Sequence, residues 1–350
     1  MIKLTDKEKI VFYGLVRWPN LNDIELSDKI DVKRPTVTAI RNKLVAKGYF
    51  TELTLPNLGK IGCELLVARY GDFNPLTPWG NRERFASREP VLFYRISTDT
   101  CRISLAAAEN FTEVRRYLDA AEHRHATHNF LTANGIKHIY FPLGLSKLFL
   151  FFDFALLLNK HFNLGFNEKF SLDTKFRETE VVGLTDTEKL VLYAMVKYGS
   201  IKDKDIADKL SLTRQRINTI RQKIESKKLV STVRFPDLGR LGFEIISFSH
   251  VFMDPRISLK ERIKGVEQVI REGSQYLIIS GNMESILLSA FKNYSSFEKT
   301  LGQLISQYTR NHFLAKDPTI KIIPVNQIRN HLKLRCAPLV KKIFNIKKEI

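Results

Sequence analysis

The feature that most constrains this chain is a long stretch that occurs twice. Residues Leu4–Glu64 return without a gap as Leu184–Glu244, with about a third of the positions identical. The repeat preserves LTDxEK at Leu4–Lys9 and Leu184–Lys189, Arg34 and Arg214, and Ile40-Arg41 and Ile220-Arg221. It also preserves PxLGxxG at Pro56–Gly62 and Pro236–Gly242. Whatever fold serves one half must therefore serve the other, and each half of a 350-residue chain has room for two small domains.

Each copy opens on a capping pattern, Thr5 with Glu8 and Thr185 with Glu188, ahead of an apolar helical face. A short helix follows, Asp23–Ile30 or Asp203–Leu210, and then a tight turn at Asp31 or Ser211 where glycine is common in such units. The next helix, Arg34–Ala46 or Arg214–Ser226, carries a narrow inward stripe, seen clearly in Ile217, Ile220 and Ile224. Pro35 suits its first turn in one copy and Thr213 suits its cap in the other. The outward set is Arg34, Thr36, Thr38, Arg41 and Asn42 in the first copy. In the second it is Arg214, Gln215, Arg216, Asn218, Arg221 and Gln222. Arg, Asn and Gln match guanine and adenine edges in a major groove, so the expected partner is double-stranded DNA. Arg41 and Arg221 also have a structural reading, as partners of first-helix acids such as Asp6 or Asp186.

Tyr49–Leu55 and Leu229–Phe235 read as strands of a wing, with Arg234 on the second one. Beyond Gly242 the pattern is strand (FEIISFSHVF), helix (258–271), strands at Gln275–Ser280 and Ile286–Ala290, helix (Tyr294–Tyr308), and strand (Thr319–Pro324). That order, βαββαβ, implies a four-stranded antiparallel sheet with both helices on one face. The first half offers weaker versions at Cys63–Arg69, a short polar segment near 81–86, Val91–Ser97, Arg102–Ala107, Glu113–Leu131 and Ile136–Phe141. Each half closes on a terminal helix ending Phe162-Asn163-Leu164 or Phe344-Asn345-Ile346.

The expected fold class is α+β: two tandem copies of a winged helix-turn-helix domain, each followed by a βαββαβ ferredoxin-like domain. The expected boundaries are 1–62, 63–164, a linker at 165–183, 184–242, and 243–350 with a basic C-terminal helix.

A formal charge of +19 favours a polyanionic partner. Three scattered cysteines fit neither a disulfide framework nor a zinc module, which points to a reducing, cytoplasmic setting. The apolar stretch Leu143–Leu158 is short for a membrane span and contains Lys147 and Asp153, so it reads as a buried helix or a subunit contact. His123, His125 and His128 are spaced poorly for one helical face and read as a solvated helix, with no metal. The segment from Lys321 onward carries eight Lys or Arg against one acid, and is either a phosphate-contacting surface or a solvated helix. Nucleophile elbows, phosphate loops and catalytic dyad spacings are absent from the sequence, so neither an enzyme nor a cofactor is expected.

This layout resembles the Lrp/AsnC-like transcription regulators, in which a winged helix-turn-helix precedes a βαββαβ ligand-sensing and dimerisation domain. PNLGKIGCE at Pro56–Glu64 and PDLGRLGFE at Pro236–Glu244 look like that family's hinge. The resemblance implies a site-specific regulator of archaeal type, acting as an intramolecular pseudo-dimer through the outward residues named above. A small-molecule effector and further pairing through the ferredoxin-like domains stay open, because the family's glycine-rich ligand region is not intact here. Two alternatives accompany this reading. One is a sequence-independent architectural DNA-binding protein. The other is an enzyme like the siroheme decarboxylases, which resemble the same architecture. In that case His123, His125 or His138 and Arg95 or Arg102 would handle propionates.

Overall fold

In the computed structural model, residues 4–81, 89–166 and 180–347 are described. The chain has an α+β architecture of repeated helix and strand units, with sheets resembling ferredoxin-like and winged helix-turn-helix folds. The first half runs α1 (Asp6–Arg17), α2 (Asp23–Ile30), α3 (Arg34–Ala46), β1 (Phe50–Pro56), β2 (Leu65–Phe73), β3 (Leu92–Ser97) and β4 (Cys101–Ala108). It continues with α4 (Phe111–Thr127), β5 (Leu131–Pro142), β6 (Lys147–Phe151) and α5 (Ala155–Phe162). The second half follows the same order with a helix between its second and third strands: α6 (Asp186–Tyr198), α7 (Asp203–Leu210), α8 (Arg214–Ser226), β7 (Val230–Pro236) and β8 (Ile245–Met253). It ends with α9 (Leu259–Arg271), β9 (Gln275–Ser280), β10 (Glu284–Phe291), α10 (Tyr294–Arg310), β11 (Leu314–Pro324), β12 (Asn330–Leu332) and α11 (Ala337–Ile343).

Local chemistry sets the helix starts. Thr5 and Glu8, and Thr185 and Glu188, form reciprocal capping boxes. Thr213 accepts from the Arg216 amide, and Pro35 lies in the first turn of α3. Asp31 and Ser211 close α2 and α7 in the left-handed region, at φ 52° and 56°, which a short polar side chain tolerates.

The strands form two five-stranded sheets, ordered β12-β3-β4-β2-β5 and β11-β8-β10-β9-β6, not the four-stranded ones expected. Each fifth strand comes from the tail of the other half. β6 pairs antiparallel with β9, and β12 with β3. An edge strand carries unpaired N–H and C=O groups, and the exchanged tails satisfy them. This also corrects the reading of Leu143–Leu158 as one helix. Phe152 takes a left-handed conformation and the Asp153 carboxylate caps the Ala155 amide, so the stretch splits into β6 and α5.

The compact units consequently cut across the halves. One comprises Met1–Thr51, Leu145–Phe176 and Val233–Asn326; the other comprises Glu52–Gly144, Arg177–Thr232 and Gln327–Ile350. In the first unit, α1 lies on α5 through Phe12 and Phe162, while Tyr13 stacks on Phe166. β1 pairs with β7, so the two strands read as wings of separate modules form one two-stranded sheet. The polar segment expected near 81–86 and most of the expected linker lie outside the described residues. No helix among the described residues is long and apolar enough to cross a membrane.

Candidate functional site

Among the described residues, a cluster of buried polar and charged side chains lies on the helix-covered face of the first-half sheet. Strand side chains alternate, so Leu65, Val67 and Arg69 of β2 share that face. Leu65 and Val67 join Ala106, Ala108, Val114 and Leu118 in an apolar cluster under α4. Towards the far end of the helix the chemistry changes abruptly. The strand register aligns Arg95 of β3 with Ser104 of β4, Ser104 with Arg69 of β2, and Arg69 with His138 of β5. One row across four strands therefore reads Arg, Ser, Arg, His. The next row brings in Ser97 beside Arg102. On α4, Glu122 and His125 lie one and two turns beyond Leu118 on the inward side.

These groups are buried: Arg69 is 2% exposed, Arg95 3%, Arg102 6% and His125 2%. Arg69 Nη1 pairs with Glu89 Oε2 at 2.9 Å, also buried, and Arg69 Nε meets no acceptor among the described residues. Arg102 donates to Ser97 Oγ at 3.2 Å, lies over the Phe73 ring, and places Nη1 3.4 Å from His125 Nε2. His138 Nε2 is 2.7 Å from Glu122 Oε1, and its Nδ1 faces the Arg115 guanidinium and the Tyr140 hydroxyl. Arg115 can only donate, so Nδ1 is the acceptor and the neutral ring carries its proton on Nε2, towards Glu122. Burial, then the charges of Arg69 and Arg115, push His138 down to about 4. Burial likewise raises Glu122. The result is a face with fixed guanidiniums and proton-bearing rings, suited to holding carboxylates and moving a proton beside them.

Of the residues considered for propionate handling, the fold brings together Arg95, Arg102, His125 and His138, while His123 is exposed on the outer side of α4. Sequence reading missed Arg69, Glu89, Arg115, Glu122 and Tyr140. Arg69 left a signal: its two-residue step from Leu65 and Val67 puts a charge on an apolar face.

The residues expected to read DNA are distributed differently. Arg34 and Asn42 are exposed on α3, and Thr36 is half-buried. Thr38 donates to Asp23 at 2.6 Å and Arg41 pairs with the same carboxylate at 2.7 Å. On α8, Arg214, Gln215, Arg216, Asn218 and Gln222 are exposed, and Asn218 reaches Asp203 at 3.2 Å. Arg221 binds Asp203 at 2.6 Å and the Ile201 carbonyl at 2.9 Å. Arg41 and Arg221 thus lock each long helix to the start of the short one before it, and their partners are Asp23 and Asp203, not Asp6 and Asp186. Arg234 is buried instead of lying on a wing; it donates to the Leu15 carbonyl at 2.6 Å and covers the Phe50 ring.

No family model and no curated protein matches the sequence. Among solved structures, the siroheme decarboxylase NirDL matches with a TM-score of 0.54 at 8% identity, over 97% of this chain and 99% of that one. NirDL in complex with an iron-uroporphyrin III analogue matches with a TM-score of 0.53 at 9% identity, over 98% and 100%. An AsnC family regulator from Agrobacterium tumefaciens matches 40% of this chain and 90% of its own, at 13% identity and a TM-score of 0.34. Several other Lrp/AsnC-family regulators match over a similar share. At such identities the full-length matches establish the fold alone. Two expectations are nonetheless overturned. The solved structures that match along the whole chain are of an enzyme, so the flat exclusion of enzymatic activity does not stand. The emphasis on DNA binding and transcription falls with it, because the structures that match along the whole chain are of an enzyme.

Proposed function

We propose that this chain is an enzyme that removes carboxyl groups from an iron tetrapyrrole, on the architecture it shares with the siroheme decarboxylase. The observation that carries this reading is the buried row of Arg95, Arg69 and His138, with Arg102 and His125 beside it. Packed guanidiniums match carboxylates two-pronged, and a low-dielectric surround strengthens the attraction. The chain's own Glu89 supports the assignment, since the cluster already holds one carboxylate oxygen at 2.9 Å.

In the reaction, the bond from the carboxyl carbon to its neighbour breaks and CO2 leaves. The electron pair stays on the ring-side carbon, which takes up one proton. Arg95 and Arg102 hold the departing carboxylate. His125, 3.4 Å from Arg102, and the neutral His138 are the groups placed to carry the proton.

The test is an anaerobic titration of the full chain with siroheme and with iron-uroporphyrin III, followed by the Soret band. Mass analysis of the extracted pigment completes it. The expected result is a saturable Soret shift and loss of CO2 from bound siroheme, both lost in Arg95→Ala/Arg102→Ala protein. A Soret response that is absent, or identical in the variant, overturns the reading.

A further inference from the structure

Each half ends on a short helix with a lysine at an equivalent place: Lys160 and Lys342 stand three residues before Asn163 and Asn345, both in the left-handed conformation. In the second unit, Lys342 Nζ is neutralised by Glu109 and Glu113, each at 3.1 Å. Asn110 and Asn293 are matching N-caps of α4 and α10, with φ −160° and −158°. The positions of the two glutamates are therefore held by Lys292 and Ser296 in the other unit. Lys160 there keeps a hydrogen bond to Ser274 at 3.1 Å and has Glu272 at 3.8 Å. Lys292, at one of the two glutamate positions, and Lys299 line the same pocket.

Beside Lys160 lies a pocket of about 460 Å³. Its charged lining is Lys160, Lys292 and Lys299 against one acid, Glu272, and its apolar wall includes Phe243 and Phe291. Buried Ser274 and Thr300 add hydroxyls between the walls. Burial, with repulsion from Lys299, holds the Lys160 ammonium below its usual range despite Glu272. We infer that this pocket binds a small organic anion, a phosphate or carboxylate on an apolar body, whose charge takes the place of the missing glutamates. The volume lies in the range of small-molecule sites. The inference does not depend on the tetrapyrrole reading, since the first-half cluster contributes none of these residues.

The experiment titrates the full chain with 4-methylumbelliferyl phosphate, 7-hydroxycoumarin-4-acetic acid and neutral 4-methylumbelliferone, read by fluorescence anisotropy. The decisive variant is Lys292→Glu/Ser296→Glu, which installs the acids that the first half already accommodates. Lys292→Ala serves as a second variant at an exposed position. At least one anion is expected to bind, with affinity falling tenfold or more in the double variant and less in Lys292→Ala, while the neutral coumarin does not bind. The stronger of the two anions assigns the headgroup. Absence of binding by both anions, equal affinity in wild type and variants, or equal binding of the neutral coumarin overturns it.

Discussion

The two sheets share a register and differ in what they place on it. In the first-half sheet one row reads Arg95, Ser104, Arg69, His138. In the second-half sheet the corresponding row reads Ile278, Leu287, Ser249, Ile320. The covering helices diverge in step: α4 presents Glu122 and His125 where α10 presents Ile305 and Tyr308. The second face is therefore mostly apolar and lines a small, partly open cavity of about 60 Å³, and burial raises the Tyr308 phenol. One backbone supports both, which shows that the fold itself does not require the buried charges. Groups that are costly to bury and unnecessary for folding are best explained by chemistry.

The comparison breaks most sharply at the Arg69–Glu89 pair, with 2% and 4% of the two side chains exposed. Arg69→Ala leaves the Glu89 carboxylate buried without its partner and is expected to cost about 3–5 kcal/mol of stability in urea unfolding. The double change Arg69→Met/Glu89→Leu replaces the ion pair by apolar side chains of similar volume. It is expected to recover most of that loss while abolishing the tetrapyrrole Soret response. If the double variant stays as unstable as the single one, the two sheets are not interchangeable scaffolds.

A pH effect tests one member of the first-half row next. His138 falls from an ordinary 6.5 to about 4 in the folded chain, so folding favours its neutral form. That contribution is complete above pH 6.5 and is lost as the pH falls through about 4. It amounts to about 3 kcal/mol at a side chain only 6% exposed. Glu122, raised by burial, works in the opposite sense, so the histidine is isolated by comparison with His138→Gln. The variant is expected to show a flatter dependence of unfolding midpoint on pH between 7 and 4. An unchanged slope removes His138 as its source.

Much of the architecture was legible because its signals are local. Thr5 with Glu8 and Thr185 with Glu188 act across three residues, and the helix stripes and strand alternation act across two to four. The exchange of β6 and β12 was not legible, because Lys147 meets Ser280, and Asn330 meets Ser97, only through the fold. Arg41, Arg221 and Arg234 looked outward by periodicity and were drawn in by Asp23, Asp203 and the Leu15 carbonyl. The candidate site was half legible. Arg95, Arg102, His125 and His138 stood out by type, but their shared face follows from a register between strands that the sequence does not state. The anion pocket left no local signal at all, since Lys160 and Lys292 are 132 positions apart in the chain.

The smallest perturbations sharpen the comparison by pulling stability and function apart. Ile278→Val removes one methylene from the apolar row at a residue 2% exposed, and is expected to cost about 1 kcal/mol. It should leave siroheme affinity unchanged, because that row holds no charge. Arg95→Lys sits at the equivalent place in the other sheet and keeps the charge. It loses the planar fork that grips a carboxylate at two points. Its unfolding midpoint should move less than that of Arg69→Ala, while its siroheme affinity falls at least tenfold. Unfolding curves and Soret titrations on the same two proteins decide the matter. Loss of affinity in Ile278→Val, or its retention in Arg95→Lys, moves the substrate away from the first-half row.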